Sequence, residues 1–587
     1  MFKPTDSQGQ LFDASYQLSD SARRRLKDTW APLFRQRVMP ILLKAEEDFA
    51  DLYPSDTGRG CWSVARKLGI CLLQELMNLS DRKTVDALCF DVRWHYALML
   101  QPDEAYLSRI SIWDFRCRLV ESDPEMERLG QLLERIGKEA AEALGLDISK
   151  QRCDSTHITS NIEVKGRGDL FRKTLRYFDD WLQEEWSEQR EKLNDELIEW
   201  FDADAESWFG RLSEEQYQAR LEQMAVWMVE IVELFSQHDQ ISSHERYELL
   251  VQLIDEHCVI EKVEVTEKKT AKNGKEDRSS DHVPLRNDVA NDDQPSRPSA
   301  DDGQQDPSVE EHSPNTEQEK STTVRVRSSP DGGSSTLQSP YDPDAGYTDH
   351  KGTGYSMHIV ETCGNEAIPE MILHQQVYPA ETDCGRMSRI LHRLDLAGLA
   401  PKVMLADAGY GTGGEVLKAR HKGTELLSPI PRGNQSKERF GRERFDIDDQ
   451  TGQVRRCPAG HKPHRHGMRR SASRRKGKAL HAYFYPSQCG NCEMFDNCPA
   501  KKPDSKKGAY QLELRSTQRA RDHRLAEQET DEFWDRYGLR SGVEATASEL
   551  KRAHGVGKLR VRRLPKVRMK AAFKSCACNV KRWAKAA

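Results

Sequence analysis

Between Tyr247 and Tyr341 the chain carries no aromatic residue, and that gap limits how it can fold more than any other feature. From Glu264 to about Gln338 it is rich in Ser, Asp, Pro, Gln and Lys. Such a composition cannot bury enough apolar surface to offset the entropy of ordering. Residues 263–338 therefore read as a disordered linker, with folded structure on either side. At 587 residues and 37% hydrophobic content, the chain exceeds what one core supports, and two to four domains are expected.

The longest apolar runs, such as Leu68 to Leu79, fall well short of a membrane span, and no basic-then-apolar export signal opens the chain. A soluble, cytoplasmic protein is the expectation. Fourteen cysteines are too dilute for a disulfide framework, and most stand singly at apolar positions where buried free thiols are common. One group is clustered: Cys457, Cys489, Cys492 and Cys498. Its Cys-x-x-Cys pair with two further thiols is enough for a closed structural Zn²⁺ site. His461, His464 or His466 could replace one ligand, and unligated thiols are the bland alternative.

The formal net charge of -6 hides strong segregation. Between Thr451 and Cys492 there is no acidic residue, while Arg455, Arg456, Arg469, Arg470, Arg474 and Arg475 are among the cations there. From Ser541 onward the bias returns, with Lys551, Lys558, Arg560, Arg568, Lys574 and Arg582 among many cations set against Glu544 and Glu549. Two such segments suit contact with phosphates. A solvated basic surface is the alternative.

Residues 1–150 show helical periodicity, broken at Pro40, Pro54 to Gly60 and before Pro124, and read as an all-α domain that binds DNA ends or serves as scaffold. Basic side chains there, such as Arg59, Arg66 and Lys67, are expected to face outward. Residues 151–165 hold a short strand rich in β-branched residues. Residues 166–262 return to long helices whose tryptophans, Trp181, Trp186, Trp200, Trp208 and Trp227, fall at core spacing. Over 339–415, strands at Gly354 to Thr362, Met371 to Tyr378 and Lys402 to Ala406 with a helix near Asp383 to Leu396 make an α/β arrangement. With the strand of Asp154 placed first, the expected sheet has three antiparallel strands and then a parallel one. Residues 416–530 read as a basic insertion domain with the cysteine cluster, and 531–587 as a catalytic helix followed by a basic tail.

Asp407 follows Val403, Met404, Leu405 and Ala406 and precedes Ala408, Gly409 and Tyr410, so it sits where a buried strand opens into a turn, the usual place for an α/β ligand site. Tyr537, Arg540, Glu544 and Lys551 are spaced to share one face of a helix, with Gly538 and Gly542 weakening it by up to about 1 kcal/mol each and Gly555 ending it. Carboxylates suit hard cations such as Mg²⁺. Two ions about 3.5 to 4 Å apart can neutralise both the attacking and leaving oxygens of a phosphodiester.

These residues resemble the DDE transposases of bacterial insertion sequences. The likeness rests on Asp154 in Asp-Ser-Thr-His-Ile, on Ala406-Asp407-Ala408-Gly409-Tyr410, and on tyrosine, two residues, arginine, three residues, glutamate at Tyr537, Arg540 and Glu544, with Lys551 seven residues on. Gly58-Arg59-Gly60 and Asn78-Leu79-Ser80-Asp81-Arg82 look like the helical domain that accompanies many such enzymes. The resemblance implies an RNase H-like core. Asp154, Asp407 and Glu544 would bind two Mg²⁺ or Mn²⁺ ions, while Tyr537, Arg540 and Lys551 act beside double-stranded DNA. A homodimer acting on terminal inverted repeats and target DNA is implied too. Asp342 or Asp344 could supply the first ligand instead, but Pro343 between them suits a central strand poorly. A silent DNA-binding regulator and an RNase H-like nuclease without joining activity are the rival functions.

Overall fold

The computed structural model describes residues 13–53, 61–162, 166–203, 212–263, 321–365, 369–431, 439–448, 450–470, 478–505 and 508–587, with Phe2, Thr5 and Gly210 besides. Up to residue 146 it is helical. Ser63 and Ser80 accept hydrogen bonds from the amides of Arg66 and Lys83, the capping that starts a helix by satisfying its first free donors. Two of these helices lie at the centre: α1 (Val64–Leu76) and α2 (Glu127–Leu144). α1 is enclosed on nearly every face, so Lys67 does not point outward as its charge predicts. Its Nζ donates to the Tyr53 hydroxyl at 2.6 Å, above the same ring. Arg66 likewise donates to the Met99 carbonyl at 2.7 Å. Arg59 lies outside the described residues.

β1 (Lys150–Ile158) is followed by a helical unit containing α3 (Arg167–Glu185), α4 (Glu214–Phe235) and α5 (Glu245–His257). Trp181, Trp200 and Trp227 lie in its core with Phe171, Phe178 and Phe235, and Trp186 packs against it; Trp208 lies outside the described residues. An antiparallel pair closes the unit: β2 (Cys258–Val263) and β3 (Ser321–Val326), with Val263 opposite Ser321. This corrects the expected linker. Residues 264–320 lie outside the described residues, but 321–338 are ordered, because Val324 and Leu337 are buried in the helical core and the β3 backbone is paired. A segment polar in composition needs only a ladder and two apolar anchors to settle.

The central sheet uses β1 with β4 (Gly346–Thr348), β5 (Gly352–Thr362), β6 (Ile372–Pro379), β7 (Val403–Ala406) and β8 (Glu425–Leu427), together with α6 (Met387–Leu396) and α7 (Gly413–His421). Its main order is β6-β5-β1-β7-β8, with the short β4 also paired to β5. β5 runs antiparallel to β1 and β6 to β5, while β7 and β8 run parallel to β1. Met404, Leu405 and Ala406 are buried, the continuous apolar run a parallel strand covered on both faces requires.

The insertion begins later than residue 416. α7 and β8 belong to the sheet, since Leu426 and Leu427 extend the buried apolar pattern of β7. The inserted part holds β9 (Asp446–Ile447), β10 (Val454–Arg456) and a sheet of β11 (Arg465–Arg470), β12 (Lys478–Phe484) and β13 (Tyr510–Leu514), around Phe445, Phe484 and Leu512. α8 (Ser516–Glu527) then returns to pack on α7.

The single helix expected across Tyr537 to Lys551 is two helices, α9 (Asp531–Tyr537) and α10 (Val543–Arg552), joined by a 3₁₀ turn over Gly538–Gly542. A Cβ at Gly542 would overlap the Arg152 guanidinium, whose Nη1 donates to the Leu539 carbonyl at 3.0 Å. Glycine is there for that close approach. The last element, α11 (Leu564–Ala586), is not a basic tail. Val567, Ala571, Phe573, Cys576, Val580 and Trp583 are buried, and the helix packs between α1, α2 and β6. Its cations Arg568, Lys574 and Arg582 are buried as well, paired with Glu125, Glu75 and the pair Glu361 and Glu549. The Asn579 side chain accepts from Ile372 N at 2.9 Å and donates to Ile372 O at 2.7 Å, covering the edge of β6. No described helix is long and apolar enough to cross a membrane.

Candidate active site

Sheet register brings the first two acids together. Cys153 pairs with Ala406, the last rung of the parallel β1–β7 ladder, so Asp154, in the middle of β1, and Asp407, just past the end of β7, follow side by side. Asp407 Oδ1 accepts from the Gly409 amide at 2.8 Å, and a Cβ on Gly409 would crowd both that oxygen and Asp383. Tyr410, fully buried, brings its hydroxyl to 2.5 Å from His358 Nδ1 and so ties the turn after β7 to β5. Asp154 Oδ1 accepts from the Ser155 amide at 2.8 Å.

α9 and the 3₁₀ turn deliver the third acid. Phe533 is buried with Leu405 and Leu427, and the Tyr537 ring stacks on it at 5.9 Å. Arg540 then reaches inward. Its Nη2 lies 2.7 Å from Asp154 Oδ2 and 4.0 Å from Asp407 Oδ2, and its Nη1 lies 2.9 Å from Glu544 Oε1. All three expected acids thus converge on one guanidinium. The sequence resemblance placed Arg540 beside DNA; here it faces carboxylates, its side chain 16% exposed. The acids grade outward from Asp154 at 14% exposure through Asp407 at 36% to Glu544 at 66%, so the site opens on the Glu544 side.

Burial raises the Asp154 carboxyl above its usual range, and the charge of Asp407 adds to this, while Arg540 and the Ser155 amide oppose it. Desolvation works against the charge on Arg540, but Asp154, Tyr537 and Asp407 outweigh it and its pKa is raised. Lys551 is half-buried, joined to the three acids by no ion pair among the described residues. Burial lowers its pKa, and nearby Lys351 lowers it further.

Sequence reasoning missed a fourth acid. Asp383 lies in the loop between β6 and α6; its Oδ2 accepts from the Ser155 hydroxyl at 2.8 Å, and its Oδ1 stands 3.8 Å from His358 Nε2. That Oδ1 is buried without a hydrogen-bond partner among the described residues. Burial, and then the charge of Asp407, push the Asp383 carboxyl up. Asp383 has no regular element of its own and meets its partner Ser155 only through the fold, so no local pattern announces it.

Asp342 is in a different place. It is fully buried and accepts from the Ser160 hydroxyl, from Tyr355 OH at 2.6 Å and from Arg563 N at 2.7 Å. Asp344 accepts from Leu564 N at 2.8 Å. Both anchor the start of α11.

The four clustered cysteines, Cys457, Cys489, Cys492 and Cys498, line one small cavity with His461, Phe440, Phe484 and Phe495. Burial, with the neighbouring thiols adding to it, pushes Cys489 up to about 12. His466 is engaged as an acceptor for Val454 N at 3.2 Å, and His464 stacks on Tyr485 at 4.3 Å. Of the three histidines considered as substitute ligands, His461 is the one at the cavity.

Asp154 in β1, Asp407 just past β7 and Glu544 at the start of α10 thus make one group of carboxylates around Arg540. Residues 456–584 match the family model described as Transposase DDE domain, and residues 31–118 match that described as Transposase domain (DUF772). The chain is therefore similar, in its helical N-terminal part and its C-terminal part, to transposases, which act on DNA. The longer match is to the DDE type, whose domains generally use divalent metal ions. It contains Tyr537, Arg540, Glu544, Lys551 and the four clustered cysteines, and begins beyond Asp154 and Asp407. No curated protein and no solved structure matches the chain.

Proposed function

We propose that the chain is a DNA transposase of the insertion-sequence type, built on an RNase H-like core, which cuts at the ends of its element and joins the freed 3′-hydroxyl to target DNA. The observation that carries this reading is the convergence of Asp154, Asp407 and Glu544 on Arg540. The strand order supports the core, with three antiparallel strands and then two parallel to the first. A set of carboxylate oxygens fits Mg²⁺ or Mn²⁺. Two such ions, when bound by the three acids, would activate water or a 3′-hydroxyl and neutralise the oxygens between which the phosphoryl group passes.

The chain's own residues set the geometry. The β1–β7 register holds the two aspartates abreast, the Gly409 amide fixes one oxygen of Asp407, and Glu544 approaches from the open side. Asp383, through Ser155, is included as a fourth acid that positions the Asp154 end of the pair. Arg540 balances the acids, and Tyr537 and Lys551 flank the path of DNA. Arg552, Lys558 and Arg560, on the stretch that follows Glu544, are exposed, and their charge suits contact with DNA phosphates. The cysteine cavity would hold a structural Zn²⁺. Cutting two inverted repeats in concert calls for a homodimer on double-stranded DNA, acting in the cytoplasm.

The test is an assay with paired element ends, Mg²⁺ and a target plasmid. Strand-transfer product that disappears in Asp407→Asn is expected. Binding without cutting would make the chain a DNA-binding regulator, and cutting without joining would make it a nuclease.

A further inference from the structure

A third cluster of ligand-type side chains is distinct from the acids and from the clustered cysteines. Glu549 in the last turn of α10, His554 in the turn after it and Cys578 on α11 each present one ligand atom, and these three atoms lie within 4.8 Å of one another. His554 is 1% exposed, and neither of its ring nitrogens has a hydrogen-bond partner among the described residues. Cys578 is fully buried. Both hydrogen bonds that the Glu549 carboxylate accepts, from Arg582 Nε at 3.0 Å and Nη2 at 2.9 Å, go to Oε2. Oε1 accepts none from a described residue.

From this we infer that Glu549, His554 and Cys578 form a zinc site that fastens the glutamate-bearing helix α10 to α11. One thiolate, one imidazole nitrogen and one carboxylate oxygen make a donor set suited to Zn²⁺ and unlike the all-oxygen set of the acid centre. A buried imidazole with two idle nitrogens is a poor core residue, because such groups in folded proteins nearly always find a partner. A metal ion gives one of those nitrogens its partner. Burial holds His554 down to about 4, so the imidazole is neutral, the form that ligates. Burial raises Cys578 to about 12, so binding displaces the thiol proton, which passes to water as the zinc–sulphur bond forms. Two of the cations around the site are already engaged, Lys574 by Glu75 and the His554 carbonyl and Arg582 by Glu361, Thr546 and Glu549, while Lys581 adds positive charge nearby. Two anionic donors then match the charge of the ion, and a water molecule can complete four-coordination.

Metal analysis separates this site from the cysteine cavity. In the full chain carrying Cys489→Ser and Cys492→Ser, after exposure to Zn²⁺ and dialysis, one equivalent of zinc is expected to remain. It is expected to be lost when Cys578→Ser or His554→Gln is added. No zinc in the first chain, or undiminished zinc in the second, overturns the inference. If those variants do not fold, zinc-edge X-ray absorption of the unsubstituted, zinc-loaded chain decides: nitrogen and oxygen neighbours are expected alongside sulphur, and an all-sulphur shell overturns it. Neither readout depends on DNA cleavage.

Discussion

Asp154, in the middle of β1, and Asp342, just before β4, are both carboxylates of the sheet region, yet their surroundings differ. Asp342 spends its oxygens on Ser160, Tyr355 and Arg563, whereas Asp154 shares Arg540 with two other acids. Asp154→Asn should therefore lower cleavage of an element end by roughly three orders of magnitude, equivalent to several kcal/mol of transition-state stabilisation, with little change in unfolding. Asp342→Asn should do the reverse, costing about 1–3 kcal/mol of stability while the folded fraction still cuts. Parallel cleavage and denaturation measurements check both, and full activity in the Asp154 variant would remove that residue from the centre. Asp383 offers a pH test. Its folded pKa is raised, first by burial and then by Asp407, so the fold favours the protonated form. That contribution is complete below the ordinary carboxylate pKa near about 4 and is lost as pH rises through the higher folded value. Asp383→Asn should thus be more stable than the parent at neutral pH, with the gap closing as pH falls below about 4 in thermal unfolding. A gap independent of pH would show that the carboxyl is not strained. The three acids that meet at Arg540 could be picked out from sequence because each stands in a local pattern. Asp383 was not, since Ser155, its partner, is 228 positions away.

Strands such as β5 and β7 were readable one at a time, because β-branched and apolar runs bounded by turns have few other uses. The division of α9 from α10 was not. The spacing of Tyr537, Arg540, Glu544 and Lys551 fits one helix, but a 3₁₀ turn bounded by Gly538 and Gly542 parts it, where Arg152 from β1 donates to the Leu539 carbonyl and lies against Gly542. The basic C-terminal segment misled for a related reason. Charge density says nothing about whether an opposite charge waits in the fold, and Glu75, Glu125 and Glu361 wait for Lys574, Arg568 and Arg582. The role of Asn579 was equally hidden. It serves the edge of β6 by bonding both backbone groups of Ile372. Asn579→Ala leaves a buried donor and a buried acceptor without partners, at about 1–3 kcal/mol for each. Chemical denaturation should show a loss of about 2–6 kcal/mol, with faster amide exchange at Ile372. A loss below about 1 kcal/mol would mean that water reaches that edge.

The whole molecule is organised around joints where distant parts of the sequence meet: α11 against α1, α2 and β6, and β2 against β3. The second joint corrects how the aromatic-free region is seen from sequence. Its C-terminal part, from Ser321, is pinned to the helical unit, and Val263 and Ser321 are direct cross-strand partners. Replacing residues 264–320 with a short Asn-Gly turn, the connection suited to such a pair, should leave the unfolding midpoint and the cleavage of paired ends unchanged. Loss of either would show that those residues take part in the fold or the reaction. Closing a loop costs in proportion to the logarithm of its length, about 0.6 kcal/mol for each doubling. With both ends clamped at one rung of a ladder, the protein is nearly indifferent to how much chain passes between them, and related sequences are free to lengthen or shorten there with no compensating change elsewhere.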